Sequence, residues 1–209
     1  MSWSSSVAVA SGIVALVLTL VMTLPQTWMI WRDRSSTGVS AGTWALFFLS
    51  FSLWIGYDFR IDDSVNLVAN VQAAASAGLL TVVIEGVTVG RTRRGALLLL
   101  GLVASGLLLM AFGRFGPMFI LSVLLPAAAL GRMPQVLRSL RTWRAVGASE
   151  VSVTTWWLGV GSGVAWIVHG ALQPDVLIIL TAVTSTVLSA AVLTFEYSAR
   201  RARAVLAPA

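Results

Sequence analysis

The chain has 209 residues, 57% of them hydrophobic and only 11% charged. A soluble domain carries about 25% charged residues, so a water-soluble surface cannot be assembled from this composition. The formal charge of +6 comes from fourteen arginines and no lysine, set between apolar runs; that placement points to membrane topology rather than to nucleic acid.

No charged residue occurs in 1–31, 64–84, 95–113, 115–131 or 176–195. Each run is near or above the ~18 residues that carry a helix across the hydrocarbon core, where backbone groups must be satisfied within the helix. Seven spans are predicted. The first, 7–31, has no positive charge before it and is too long for a signal h-region, so it reads as a span and not a cleaved leader. It carries Leu24-Pro25-Gln26. The second, 42–58, follows Val39-Ser40 and contains Thr43-Trp44 and Trp54. The third, 64–86, places Asn66 and Asn70 one turn apart on a shared face; asparagine is costly against lipid, so that face should point inward. The fourth, 95–112, is almost featureless.

The fifth span, 116–140, holds Met133-Pro134-Gln135. The sixth, 153–171, follows Val151-Ser152 and contains Thr155-Trp156, Trp166 and His169. Its Gly159 and Gly163 form a small-xxx-small pair suited to close helix approach. The seventh, 175–197, begins at Asp175 and offers Thr181 and Thr184. Trp3, Trp28, Trp31, Trp44, Trp143 and Trp156 lie near helix ends and read as interfacial anchors. His169, Glu85 and Glu196 read as solvated helix ends. Pro25 and Pro134 are expected to kink helices 1 and 5 as hinges, with Gln26 and Gln135 re-satisfying the freed carbonyls.

These features repeat. Pro25-Gln26 matches Pro134-Gln135 at an offset of 109, and Ser40, Thr43, Trp44, Trp54 and Asp63 match Ser152, Thr155, Trp156, Trp166 and Asp175 at 112. Three helices reverse the chain's direction, so one further helix is needed to restore it. The expected fold is all-α: a three-helix unit (1–94), a linker helix (95–114) and a second, parallel three-helix unit with a basic tail (115–209), related by an axis along the membrane normal. Arg32, Arg34, Arg91, Arg93, Arg94, Arg132, Arg138, Arg141, Arg144, Arg200, Arg201 and Arg203 fall on one side and only Arg60 and Arg114 on the other. The positive-inside rule then puts the N-terminus outside and the C-terminus in the cytoplasm of a bacterial inner membrane.

There is no cysteine, no paired carboxylate within a span and no H-E-x-x-H, G-x-S-x-G or phosphate loop. The chain is therefore not expected to be an enzyme, and no cofactor or metal is called for.

The two Pro-Gln pairs and the three-plus-one-plus-three plan make the sequence similar to the PQ-loop superfamily. The run Trp54, Tyr57, Asp63 and Asn70 resembles its SWEET and SemiSWEET sugar transporters. The resemblance implies that Trp54 and Asn70 line a sugar pocket between the two bundles. Asn66 and Trp166 would join them, Thr181 or Thr184 would supply a hydroxyl, and Pro25, Gln26, Pro134 and Gln135 would form the hinges. The second repeat has His169 for the tyrosine and Ala182 for the asparagine, so the site's polar capacity is expected on the first unit. The reading is thus a transporter of a small polar solute, a mono- or disaccharide, in the lipid bilayer, with a homo-oligomer compatible with it. Its rivals are a receptor or scaffold on the same fold, and a proton-coupled amino-acid exporter. The exporter would want a carboxylate at membrane depth, whereas Asp58, Asp63 and Asp175 are placed at the outer ends.

Overall fold

The computed structural model describes residues 3–88, 93–145 and 149–206. Among them, all regular structure is helical: α1 (Trp3–Met22), α2 (Leu24–Asp33), α3 (Ala41–Ile61), α4 (Ser64–Thr88), α5 (Arg93–Phe115), α6 (Met118–Ala128), α7 (Met133–Arg144), α8 (Val153–Leu172) and α9 (Val176–Leu206). Arg91 lies outside the described residues, as do the side chains of Trp3, Arg93 and Arg94.

Among the described residues, five stretches are long and apolar enough to cross a membrane: Ser6–Asp33, Ser64–Glu85, Gly95–Phe115, Met118–Arg144 and Val176–Val205. By their length and composition the chain is an integral membrane protein. Helices α3 and α8 are as long but richer in tryptophan, glycine and serine, and they are the inner ones. The first is packed between α4 and α5, the second between α1 and α9.

The expected first and fifth helices are each broken. Thr23 separates α1 from α2, and a 3-10 segment, Ala129–Arg132, separates α6 from α7, shortly after Pro126 inside α6. Pro25 and Pro134 therefore sit in the first turn of α2 and α7, where a missing N–H leaves no bond unmade. They open new helical segments, and no helical bond has to be replaced by the neighbouring glutamines.

Ser40 and Ser152 explain the repeated Val-Ser and Thr-Trp pairs. Each serine is the N-cap of the following helix, its side chain accepting from the N–H of Thr43 or Thr155 at 3.2 Å, the capping arrangement that satisfies an orphan donor. Trp44 and Trp156 then point into the core rather than to the interface, at 1% and 3% exposure. Trp28, Trp31 and Trp143 are exposed. One apolar cluster gathers Ile30, Trp44, Phe47, Leu80 and Val151; a second gathers Leu53, Trp54, Tyr57, Leu121 and Leu125. Helix α5 docks on α3 where Gly56 and Gly113 meet, so closely that a Cβ on Gly56 would run into the Met110 carbonyl.

Candidate functional site

Helices α1, α3, α4, α6, α8 and α9 enclose a cavity of about 90 Å³. Trp54 from α3, Asn66 and Asn70 from α4, Trp166 from α8 and Thr181 from α9 all line it. Thr184 does not: the α9 stripe that faces the cavity is Ile178, Thr181, Ala182 and Ser185, a run of i, i+3, i+4 and i+7 that turns Thr184 off to one side. Arg132, from the 3-10 segment, lines it as well.

The two asparagines do not spend all their donors on the cavity. Asn66 Nδ2 donates to Asp58 Oδ1 and Asn70 Nδ2 to Asp58 Oδ2, both at 2.8 Å. Asp58 is only 1% exposed and, among the described residues, has no cation beside it. It is thus not a solvated end: α3 runs on to Ile61, and the carboxylate lies inside the bundle behind the asparagine face. An acceptor-only group with one amide on each oxygen is satisfied in part, although burying it remains costly.

Two matched pairs close the end of the cavity that carries the aspartates. Tyr57 Oη lies 3.4 Å from Asp175 Oδ2, and His169 Nε2 lies 3.7 Å from Asp63 Oδ2. Each half of the chain reaches across to the other. Trp54 with Tyr57, and Trp166 with His169, form edge-on ring pairs at 5.5 and 5.3 Å with interplanar angles of 87° in both. His169 is not solvated; it is 2% exposed. Its Nδ1 is 2.8 Å from the Ala8 carbonyl, which only accepts, so that nitrogen carries a proton. Gly12 makes the room: a Cβ there would lie 2.8 Å from Nδ1. At Asp63, burial works to raise the carboxyl's pKa. The His169 ring and the N–H groups of Asn66 and Val65 outweigh it and hold the group below its ordinary range.

The opposite end is closed by the Pro-Gln segments. Gln26 Oε1 accepts from Ser152 N at 2.8 Å while its Nε2 donates to Glu150 O at 2.9 Å. Gln135 Oε1 accepts from Ser40 N at 2.7 Å while its Nε2 donates to Gly38 O at 2.9 Å. Each glutamine therefore grips the loop that opens the other half's second helix. Gln135 also donates to Ser139 Oγ at 3.2 Å, and Ser139 to Glu196 Oε1 at 2.7 Å. Glu196, expected in solvent, is 1% exposed.

Asp58, Arg132 and the serines Ser162 and Ser185 were not singled out by the sequence pattern. Arg132 carried a readable signal. It stands immediately before Met133-Pro134, where the first half has Thr23. Half-buried in the cavity wall, it does not belong with the loop arginines, and eleven arginines against two remain on the same side without it.

Comparison with known proteins agrees with this architecture. Residues 7–65 match the family model of the PQ loop repeat. The fold is similar to that of a solved eukaryotic SWEET transporter, with a TM-score of 0.71 over 96% of this chain and 100% of that one, at 14% identity. At that identity the likeness is one of fold. No curated protein matches the chain.

Proposed function

We propose that the chain moves a small polar solute across the membrane by alternating access, with α1–α4 and α6–α9 as two parallel three-helix units joined by α5. The observation that carries this reading is the placement of contacts between the halves. Besides the packing of α1 along α8, two matched sets of polar contacts between the halves lie at the two ends of one cavity, so rocking the units about the α1–α8 seam would open one end while the other stays closed. Trp54 and Trp166 would offer apolar faces, and Asn66, Asn70 and Thr181 hydrogen bonds. The likeness to a SWEET transporter makes a sugar the first solute to test, and the cavity's size favours a monosaccharide over a disaccharide. The arginine bias supports an orientation with the Pro-Gln end in the cytoplasm of a bacterium and the aspartate end outside.

Uptake of labelled sugars and amino acids into proteoliposomes is the test. Wild type should accumulate at least one solute, and Trp54→Ala and Asn70→Ala should abolish uptake while remaining folded. Reporter fusions after Arg94 and Arg203 should read cytoplasmic, and one after Asp62 periplasmic; the reverse pattern would invert the orientation.

A second reading, proton-coupled transport, is favoured by Asp58, a buried carboxylate with two amides and no cation. Under it, Asp58→Asn would keep downhill exchange and lose accumulation driven by a pH gradient. Unchanged accumulation in that variant would remove this reading.

A further inference from the structure

We propose that the solute carries a carboxylate and that Arg132 is the residue that binds it; this rests on the transporter reading above and assigns a substrate class to the same cavity. The 3-10 segment Ala129–Arg132 turns the chain between α6 and α7, and its last residue reaches the cavity. The guanidinium lies over the Phe47 ring at 4.6 Å. Its Nη1 donates to Ser185 Oγ at 2.8 Å and its Nε to Ser189 Oγ at 3.3 Å. Among the described residues Nη2 has no hydrogen-bond partner, and no carboxylate lies within ion-pair distance. A guanidinium held by an aromatic face and two hydroxyls is fixed in direction but not neutralised. A planar cation so presented suits a carboxylate, which it meets with paired hydrogen bonds.

The first half shows that this is an addition and not part of the shared frame. At the matched positions it has Thr23 for Arg132, and Ala73 and Ala77 for Ser185 and Ser189. The cation and both hydroxyls that hold it occur only in the second half. Across the cavity the wall is neutral and polar: Asn66 and Asn70 line it in front of the buried Asp58, to which each donates one amide hydrogen. The cavity therefore has a cation at one end, and at the other two amides whose donors are engaged by the Asp58 carboxyl and whose carbonyl oxygens are left to accept. A solute that matches has its acid at one end and hydrogen-bond donors at the other. Hydroxyls of a sugar acid and the ammonium of an amino acid both meet that description, whereas a neutral sugar leaves the guanidinium unmatched.

The test compares glucose, glucuronate and alanine as labelled solutes in proteoliposomes of the full chain. Binding is followed separately by thermal shift of the detergent-purified protein. Glucuronate or alanine should be transported at least about tenfold faster than glucose, and which of the two leads identifies the donor end. Arg132→Gln should lower carboxylate transport about ten- to a hundredfold, the worth of a hydrogen bond to a charged group. Arg132→Lys, which keeps the charge but loses the fork, should fall between the two; it also serves if Arg132→Gln does not fold. Glucose transported as fast as glucuronate, with Arg132→Gln unaffected, would overturn the assignment and leave the transporter reading standing. A glucuronate or alanine shift lost in the Arg132 variants, with no solute crossing the membrane, would keep the site and sink the transporter reading. Neither a shift nor transport with any of the three overturns both.

Discussion

The two halves of the chain agree where they touch each other and disagree where they face the cavity. Gln26 with Ser152 and Gln135 with Ser40 form one matched set of contacts; Tyr57 with Asp175 and His169 with Asp63 form another. Behind the cavity wall the match ends. The first half has Asp58, Asn66 and Asn70, and the second has Gly170, Ile178 and Ala182 at the same places. A Cβ on Gly170 would lie 3.0 Å from the Ile178 side chain, so the isoleucine fills the space of the missing carboxylate. At the other end the direction reverses, with Ser139 and Glu196 where the first half has Ile30 and Ile84. Polar residues have been gained or lost as interacting groups. That is what a low dielectric demands, because one unmatched polar group inside it is costly.

The sharpest way to break this comparison is to dismantle one group by halves. Asn66→Ile with Asn70→Ala leaves Asp58 buried without donors and should cost about 3–5 kcal/mol. Adding Asp58→Gly, which completes the second half's set, should return most of that in thermal unfolding. If the triple variant is no more stable than the double, the residues are not an interdependent group. Next in size are the glutamines. Gln26→Ala and Gln135→Ala each strand a buried backbone N–H and should each lose about 1–3 kcal/mol. Gln135→Ala should lose the more, since it also holds Ser139; a reversed order would undo the role given to the Ser139–Glu196 extension. Tyr57→Phe removes one long bond and should cost about 0.5–1 kcal/mol, whereas His169→Phe, which loses the Ala8 carbonyl as well, should cost more. Equal costs would mean that the Ala8 contact contributes nothing.

The smallest effect is that of pH on the Asp63 pair. A carboxylate held below its ordinary range contributes stability in full above its unfolded pKa, about 3.9. That contribution fades as pH falls through the lower folded value. Melting points of wild type and Asp63→Asn should therefore differ by a constant amount between about pH 5 and 6 and converge on the acid side only below about pH 4. Convergence near pH 6 would assign the titration to another group.

Much of this was legible in the sequence, and the misreadings share a cause. The spans, the repeat and the inward face of Asn66 and Asn70 follow from periodicity and from the cost of polar groups in lipid. Asp58, His169 and Glu196 each read as a helix end in the sequence, because a titratable residue looks like a membrane boundary. In the structure α3, α8 and α9 run on past them to Ile61, Leu172 and Leu206. Burial was decided by which neighbouring helix each residue faced, and no single-helix pattern contains that. Arg132 was misread in the same way. Thr181 and Thr184 looked equivalent as hydroxyls on one helix, and only the packing of α9 against the cavity separates them.

The crossed glutamine contacts also bear on how the chain is made. Gln135 meets a partner 95 residues behind it, Ser40, which has already been synthesised when it emerges. Gln26 must wait for Ser152, 126 residues further on, before either of its loop contacts can form. Insertion of the first three spans by the translocon therefore leaves a polar amide unmatched in the bilayer until most of the protein has left the ribosome. The arrival of the 150–152 loop supplies both of its partners. The order of translation thus makes the contact at Gln26 the later of the two to close.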